Sequence, residues 1–275
     1  MNLHGEETSP DPTILASAAS RIAERIMIAP HAFALFLDLD GTLLDIADHP
    51  DAVVVEPGLA DELDRLRARL AGALAIVSGR TLADIDRFLH PLQFDAASEH
   101  GATVRLSNGD GEASLPMRMD DAIVEAVEAA AEAFPGVWVE RKRTALAVHY
   151  RQAPQAAAPL SNVLRDILAR SRPDLRLVVG RCVFELTPAH ISKARAIEHL
   201  SSFFPFAGRR PIFIGDDASD EEACIHAERA GGAGLAVAGE YFTRERAAFG
   251  GPAEVRGWLA ALAAERGARG GRLRS

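Results

Sequence analysis

Five short, largely apolar runs recur along the chain: Phe33 to Leu37, Leu74 to Val77, Phe94 to Ala97, Pro211 to Ile214 and Gly234 to Val237. Each has the length of a strand, and Phe33 to Leu37 has the unbroken apolar character of one buried on both faces. The segments between them carry a helical period. Leu59, Leu63, Leu66 and Leu70 line one side of a helix ending near Leu70. Thr81 to Leu89 reads as a second helix, with Thr81 as N-cap and Asp84 three residues on. Ile191 to Phe203, Glu222 to Arg229 and Val255 to Ala264 read as three more. Strands that alternate with helices predict an α/β fold built on a parallel, doubly wound sheet.

Between the third and fourth runs the pattern changes. Helices are expected at Asp120 to Phe134 and Gln155 to Arg170. Val137 to Arg151 alternates apolar and polar residues and reads as one long strand. Leu175 to Leu186 reads as strands turning at Gly180. This block predicts an α+β insert, a cap domain over 112–187, within a core formed by 31–111 and 188–266. Asn108 to Gly111 is a turn-rich boundary, and Asp45 to Pro57 a loop or short hairpin. Residues 1–30 form an N-terminal extension, polar up to Pro12 and helical from Thr13 to Met27. The Gly- and Arg-rich tail, 267–275, is expected to be disordered.

The candidate chemistry sits at the ends of the runs. Asp38 and Asp40 follow the first, then Gly41 and Thr42. Positions 38 and 40 of an extended segment point the same way. Two carboxylates so close resist joint ionisation, which a bound cation or a shared proton relieves. Open α/β sheets bind ligands at such strand ends. A second acidic cluster, Gly215-Asp216-Asp217-Ala218-Ser219-Asp220-Glu221, follows the fourth run. Asp38 with Asp216 or Asp217 offers the oxygen ligands a hard cation such as Mg²⁺ prefers. The same acids also suit the N-terminus of the following helix. Ser78, before Gly79 and Arg80, offers a hydroxyl and amides to a phosphate oxygen. Lys193, near a helix start, offers a cation to a phosphoryl group.

Asp38-Leu39-Asp40-Gly41-Thr42, then Ser78, Lys193 and Gly215-Asp216-Asp217 with Asp220, resembles the ordered motif set of the haloacid dehalogenase superfamily. The insert between Ser78 and Lys193 lies where that superfamily carries a type 2 cap. Within it, the chain from Phe33 to about Leu262 is similar to the trehalose-6-phosphate phosphatases. The marks are Ser78-Gly79-Arg80, His100-Gly101-Ala102, Glu140-Arg141-Lys142, His149-Tyr150-Arg151, and Glu185 with Pro188. Ala194 stands where that family usually has Gly, and Ser219 where it usually has Thr.

The resemblance implies a Rossmann-like core and an Mg²⁺-dependent phosphatase acting through an aspartyl-phosphate. Asp38 is implied as nucleophile, and Asp40 as acid and then base, with its backbone carbonyl on the metal. Asp216 and Asp217 complete the metal set, while Lys193 and Ser78 stabilise phosphoryl charge. Substrate contacts are implied for Asp38, Leu39, Asp40, Gly41, Thr42, Ser78, Gly79, Arg80, His100, Gly101, Glu140, Lys142, Arg151, Glu185, Lys193 and Asp220. The rival readings are the same chemistry on sucrose 6-phosphate or glucosylglycerol phosphate, a phosphomutase, and a phosphosugar-binding regulator without turnover.

Composition narrows the partners. The 275 residues suit one large domain or two modest ones, with 48% hydrophobic and 25% charged residues. A net charge of −9 disfavours nucleic acid. No apolar stretch is long enough to span a bilayer, and the N-terminus lacks the pattern of a secretory signal. Cys182 and Cys224 show no metal spacing and read as reduced thiols of a cytoplasmic protein. A monomer with a small sugar phosphate as partner is expected.

Overall fold

A computed structural model describes residues 12–47, 52–106, 112–114, 119–142, 145–171, 174–180 and 182–264. The disorder expected at 1–12 and 267–275 and the turn at 108–111 lie outside them, except for Pro12, which instead opens a helix. The larger sheet has seven strands in the order β11-β10-β1-β2-β3-β4-β5. These are β1 Phe33–Leu37, β2 Leu74–Val77, β3 Asp95–Ser98, β4 Thr103–Arg105, β5 Glu112–Ser114, β10 Arg210–Gly215 and β11 Ala233–Ala236. The five strands from β11 to β3 are parallel, whereas β4 and β5 are antiparallel additions at one edge. Every residue of β1 and β2 is buried, as their apolar sequences require.

Helices α2 (Leu59–Arg69), α3 (Leu82–Phe88), α6 (Lys193–Leu200), α7 (Ala218–Arg229) and α8 (Pro252–Ala264) surround this sheet. The N-terminal helix α1, Pro12–Ile28, joins the same core through Ala19, Ile22 and Ile26. Thr81 caps α3 by accepting from the Asp84 N–H. Among the described residues, no helix is long and apolar enough to cross a membrane.

The smaller sheet has the order β6-β7-β9-β8 and is wholly antiparallel. Its strands are β6 Trp138–Arg141, β7 Leu146–His149, β8 Leu175–Gly180 and β9 Val183–Pro188. Leu146, Val148, Phe184 and Leu186 share a second core with Ile123 and Val127 of α4 (Asp121–Glu132) and Leu160 and Leu164 of α5 (Ala157–Ser171). Alternation sends Trp138, Glu140, His149 and Glu185 to the other face.

Two expectations change. The stretch from Val137 to Arg151 is a hairpin: Trp138 pairs with His149, and the Lys142 N–H donates to the Ala145 carbonyl at 2.9 Å. A single strand of that length would run about 50 Å, far beyond an ordinary strand. The large sheet extends through β5, so residues 112–114 pair with the core strands although the insert was expected to begin at 112.

The sheet order makes β1 the switch point. The chain leaves it toward β2 on one side and returns as β10 on the other. Ligands of open α/β sheets bind at that crevice, beyond the carboxyl ends of the strands.

Candidate active site

Parallel register assembles the centre. Leu37 pairs with Ile214, so Asp38 and Asp216 emerge side by side at the ends of β1 and β10. The Asp38 N–H donates to the Ile214 carbonyl at 3.0 Å, which locks the alignment. Gly41 makes the close approach of the two loops feasible. Its φ is +76°, and a Cβ there would lie 2.0 Å from Asp216 Oδ2. Thr42 is fully buried and turns its hydroxyl toward Asp216 Oδ1 at 3.4 Å. Leu39, expected among the substrate contacts, has its side chain fully buried in the core.

Lys193 opens α6, one residue after the N-cap Ser192. It is buried, with its ammonium 2.8 Å from Asp38 Oδ1 and 2.6 Å from Asp220 Oδ1. Burial alone would favour the neutral amine, but Asp220 and Asp38 outweigh it and raise its pKa. Asp220 has no exposed surface. Its Oδ2 accepts from the backbone N–H groups of Asp216 and Asp217. Both oxygens are thus engaged in framing Lys193 and the second acidic loop, whereas a substrate contact was expected of Asp220. Asp217 is the N-cap of α7 and accepts from the Ala218 N–H at 2.8 Å.

Among the described residues, Asp38, Asp216 and Asp220 each bring a carboxylate oxygen within 4.8 Å of the others. One ammonium faces three buried carboxylates. Burial pushes the Asp38 carboxyl well above the ordinary range; Lys193 opposes that, while Asp220 and Asp216 reinforce it. Burial, followed by repulsion from Asp220, pushes Asp216 up to about 7. Such a surplus of buried oxygen donors fits a hard divalent cation. Asp38 and Asp216 are the suited ligands, since Asp220 is already saturated.

Asp40 is held differently. Arg80 grips it bidentately, Nε to Oδ2 at 2.8 Å and Nη2 to Oδ1 at 2.7 Å. Burial works against the guanidinium charge, but the Asp40 bonds prevail and raise its pKa. Ser78 is buried at the end of β2, with its Oγ accepting from the Arg80 N–H at 3.2 Å. Glu99 and His100 follow β3 with φ of +49° and +59°, a left-handed turn uncommon without glycine. The turn bonds back to the β2 loop: the Glu99 N–H donates to the Arg80 carbonyl and the His100 N–H to the Ser78 carbonyl, both at 3.0 Å. Gly101 packs against α6, where a Cβ would meet Ala196 Cβ at 2.9 Å.

The polar face of the smaller sheet roofs these loops. Lys142 Nζ lies 2.5 Å from Glu185 Oε1 and 3.4 Å from the Gly79 carbonyl. Glu185 also pairs with His100 Nε2. Burial would raise the Glu185 pKa, but Lys142 and then His100 hold it well below the usual carboxylate range. Burial likewise opposes the Lys142 charge, and Glu185 overcomes it. Glu140 Oε2 meets His149 Nε2 at 2.9 Å. Arg151 is exposed and reaches the Ala47 carbonyl at 3.4 Å, on the loop after Thr42.

Chemically, this is a buried carboxylate facing a fixed ammonium, with a second carboxylate two residues on and a polar roof. Sequence reasoning missed the framing role of Asp220, the Arg80 grip on Asp40 and the place of Trp138 beside Glu140. The Asp217-x-x-Asp220 spacing of a capping box was a signal for the first.

The trehalose-phosphatase family model matches residues 36–238. A probable trehalose-phosphate phosphatase of Sinorhizobium fredii is 40% identical over 205 residues, covering 74% of this chain and 77% of the relative. The trehalose-6-phosphate phosphatase of Escherichia coli is 36% identical over 228 residues, covering 82% and 85%. In fold, the chain is similar to the C-terminal domain of the Candida albicans trehalose-6-phosphate phosphatase. That match has a TM-score of 0.76 at 21% identity and covers 94% of this chain and 99% of that one.

Proposed function

The chain belongs to the trehalose-phosphatase family, and from that premise we propose that it hydrolyses trehalose 6-phosphate to trehalose and phosphate, with Asp38 as nucleophile. The observation that carries the assignment of roles is the Asp38–Lys193 contact of 2.8 Å at the shared ends of β1 and β10.

Asp38 attacks phosphorus, and the bond between phosphorus and the sugar oxygen breaks, leaving an aspartyl-phosphate. Asp40 gives a proton to the departing oxygen. As a carboxylate it then takes a proton from the water that attacks phosphorus and releases Asp38. Arg80 orients the Asp40 carboxyl group through both of its oxygens. Lys193 keeps its charge against developing negative charge on the phosphoryl oxygens, and the Ser78 hydroxyl lies at the neighbouring strand end. Asp220 fixes Lys193 and the backbone of Asp216 and Asp217.

Asp38 and Asp216, with the Asp40 backbone carbonyl, would hold Mg²⁺; Asp217 is the alternative carboxylate, one that α7 already employs as its cap. When bound, the ion supplies Lewis-acid stabilisation of phosphoryl charge. Glu140, Lys142 and Glu185 present charged groups to sugar hydroxyls from the roof, and Arg151 stands at its rim. We read the smaller sheet with α4 and α5 as a cap that selects the substrate, and the larger sheet with its surrounding helices, β5 included, as the core that processes phosphate. A monomeric, cytoplasmic enzyme acting on a small sugar phosphate is the form we propose, and the net charge of −9 disfavours a nucleic-acid partner. Phosphate release measured over a panel of sugar phosphates, with and without Mg²⁺, tests the whole assignment. Equal rates on sucrose 6-phosphate and trehalose 6-phosphate would overturn the substrate.

A further inference from the structure

Trp138 and His149 face each other across β6 and β7 as register partners. Their rings stack with centroids 3.9 Å apart and planes 11° from parallel. The imidazole edge then meets Glu140, Nε2 to Oε2 at 2.9 Å. Trp138, Glu140 and His149 lie on the sheet face that also carries Glu185, the face turned toward the catalytic loops. Trp138 is 44% exposed there. Trp258, by contrast, packs against the main core and donates its indole N–H to the Ala19 carbonyl. The second core of the small domain lies behind the sheet, so Trp138 contributes little to it.

We propose that Trp138 is a positioning residue for sugar selection, pinning the His149 ring so that its edge aims the Glu140 carboxylate into the cleft. This rests on the reading of the roof as the sugar-binding surface. The His149 bond is the leading reason that Glu140 stays ionised below its ordinary pKa, with burial opposing and Lys142 assisting. An ionised, aimed carboxylate accepts hydrogen bonds from hydroxyl groups more strongly than a neutral or wandering one. A flat aromatic partner restricts the imidazole to one plane at little cost in its own freedom. Alanine at 138 would leave the ring free to rotate and the carboxylate free to follow it.

The test is a double-mutant cycle on steady-state kinetics with trehalose 6-phosphate, using Trp138→Ala, Trp138→Phe, Glu140→Ala and the Trp138→Ala/Glu140→Ala pair. Trp138→Ala should raise KM about three- to tenfold, the scale of one aromatic contact, with kcat changed by less than about twofold. Trp138→Phe, which keeps a stacking ring, should restore most of the KM. In the Glu140→Ala background, Trp138→Ala should add less than about twofold, since the group it positions is gone. A Trp138→Ala effect that persists undiminished in that background would overturn the proposal, as would a folded Trp138→Ala enzyme with wild-type KM. Thermal midpoints separate these outcomes from unfolding, and Trp138→Phe keeps the cycle readable if alanine destabilises the sheet. A wild type indifferent between trehalose 6-phosphate and glucose 6-phosphate contradicts the substrate reading; a selective wild type with an indifferent Trp138→Ala contradicts the positioning role alone.

Discussion

Asp38 stands beside Asp216 because Leu37 and Ile214 are partners in a parallel strand pair. The sheet therefore forces two carboxylates together in a buried crevice, with Asp220 behind them and Lys193 as the counter-charge. A site so built is under electrostatic load until another cation shares it.

That load sets a pH dependence. Asp216, raised from an ordinary 3.8 to about 7 in the metal-free protein, binds a proton in the native state that the unfolded chain has released between about pH 4 and 7. Over that window its contribution to stability falls as pH rises. A divalent cation removes the need for the proton. Mg²⁺ should thus raise the thermal midpoint more at pH 8 than at pH 5.5. An equal gain at both values would contradict the raised pKa of Asp216.

Asp38→Asn keeps the side-chain shape and removes a charge from the crowded centre. Turnover should fall about a thousandfold or more, as expected for loss of a covalent nucleophile. The thermal midpoint of the metal-free variant should match or exceed that of wild type, because burial and repulsion oppose the Asp38 charge. Activity within about tenfold of wild type would remove Asp38 from its role.

Glu185→Gln probes the bridge between roof and core. Glu185 titrates well below its ordinary value in the folded protein, so its carboxylate adds stability at pH values above the unfolded pKa. That stability disappears as pH falls through the depressed folded value. The variant also leaves the buried Lys142 without its closest partner. At pH 7 its midpoint should drop by about 5 °C or more. The gap to wild type should close as acid protonates Glu185 in the parent. A gap independent of pH would mean the loss comes from packing.

Selectivity should depend on the roof. Each charge-assisted hydrogen bond to a sugar hydroxyl is worth about 1.5–3 kcal/mol, so Glu140→Ala or Lys142→Ala should cost about ten- to a hundredfold in kcat/KM for trehalose 6-phosphate. The loss on a small aryl phosphate, which cannot reach the roof, should be far smaller. Parallel loss on both substrates would assign these residues to the phosphate site or to folding.

The paired carboxylates were legible because an apolar strand ending in Asp-x-Asp-Gly-Thr permits few other placements for Asp38 and Asp40. The hairpin of β6 and β7 was missed because Arg143-Thr144 carries no Gly or Pro to mark a reversal; the available signal was the shift of the apolar phase from Val137 and Val139 to Leu146, Val148 and Tyr150 across the polar run Glu140 to Thr144. Thr103–Arg105 and Glu112–Ser114 are three residues each, too short for a period to show, and form at the edge by pairing with β3 and with each other. The acidic loop after β10 was visible as a cluster, but the split between Asp216, Asp217 and Asp220 was not. It depends on Lys193, brought from another helix, and on which backbone N–H groups each carboxylate meets.

The most direct test of the account is the initial rate of inorganic phosphate release from trehalose 6-phosphate and from glucose 6-phosphate, with Mg²⁺ and after chelation, on wild type and Asp38→Asn. The account predicts rapid release only from trehalose 6-phosphate, only with Mg²⁺ and only by wild type. Full-rate release after chelation, or by Asp38→Asn, or equally from glucose 6-phosphate, would contradict it.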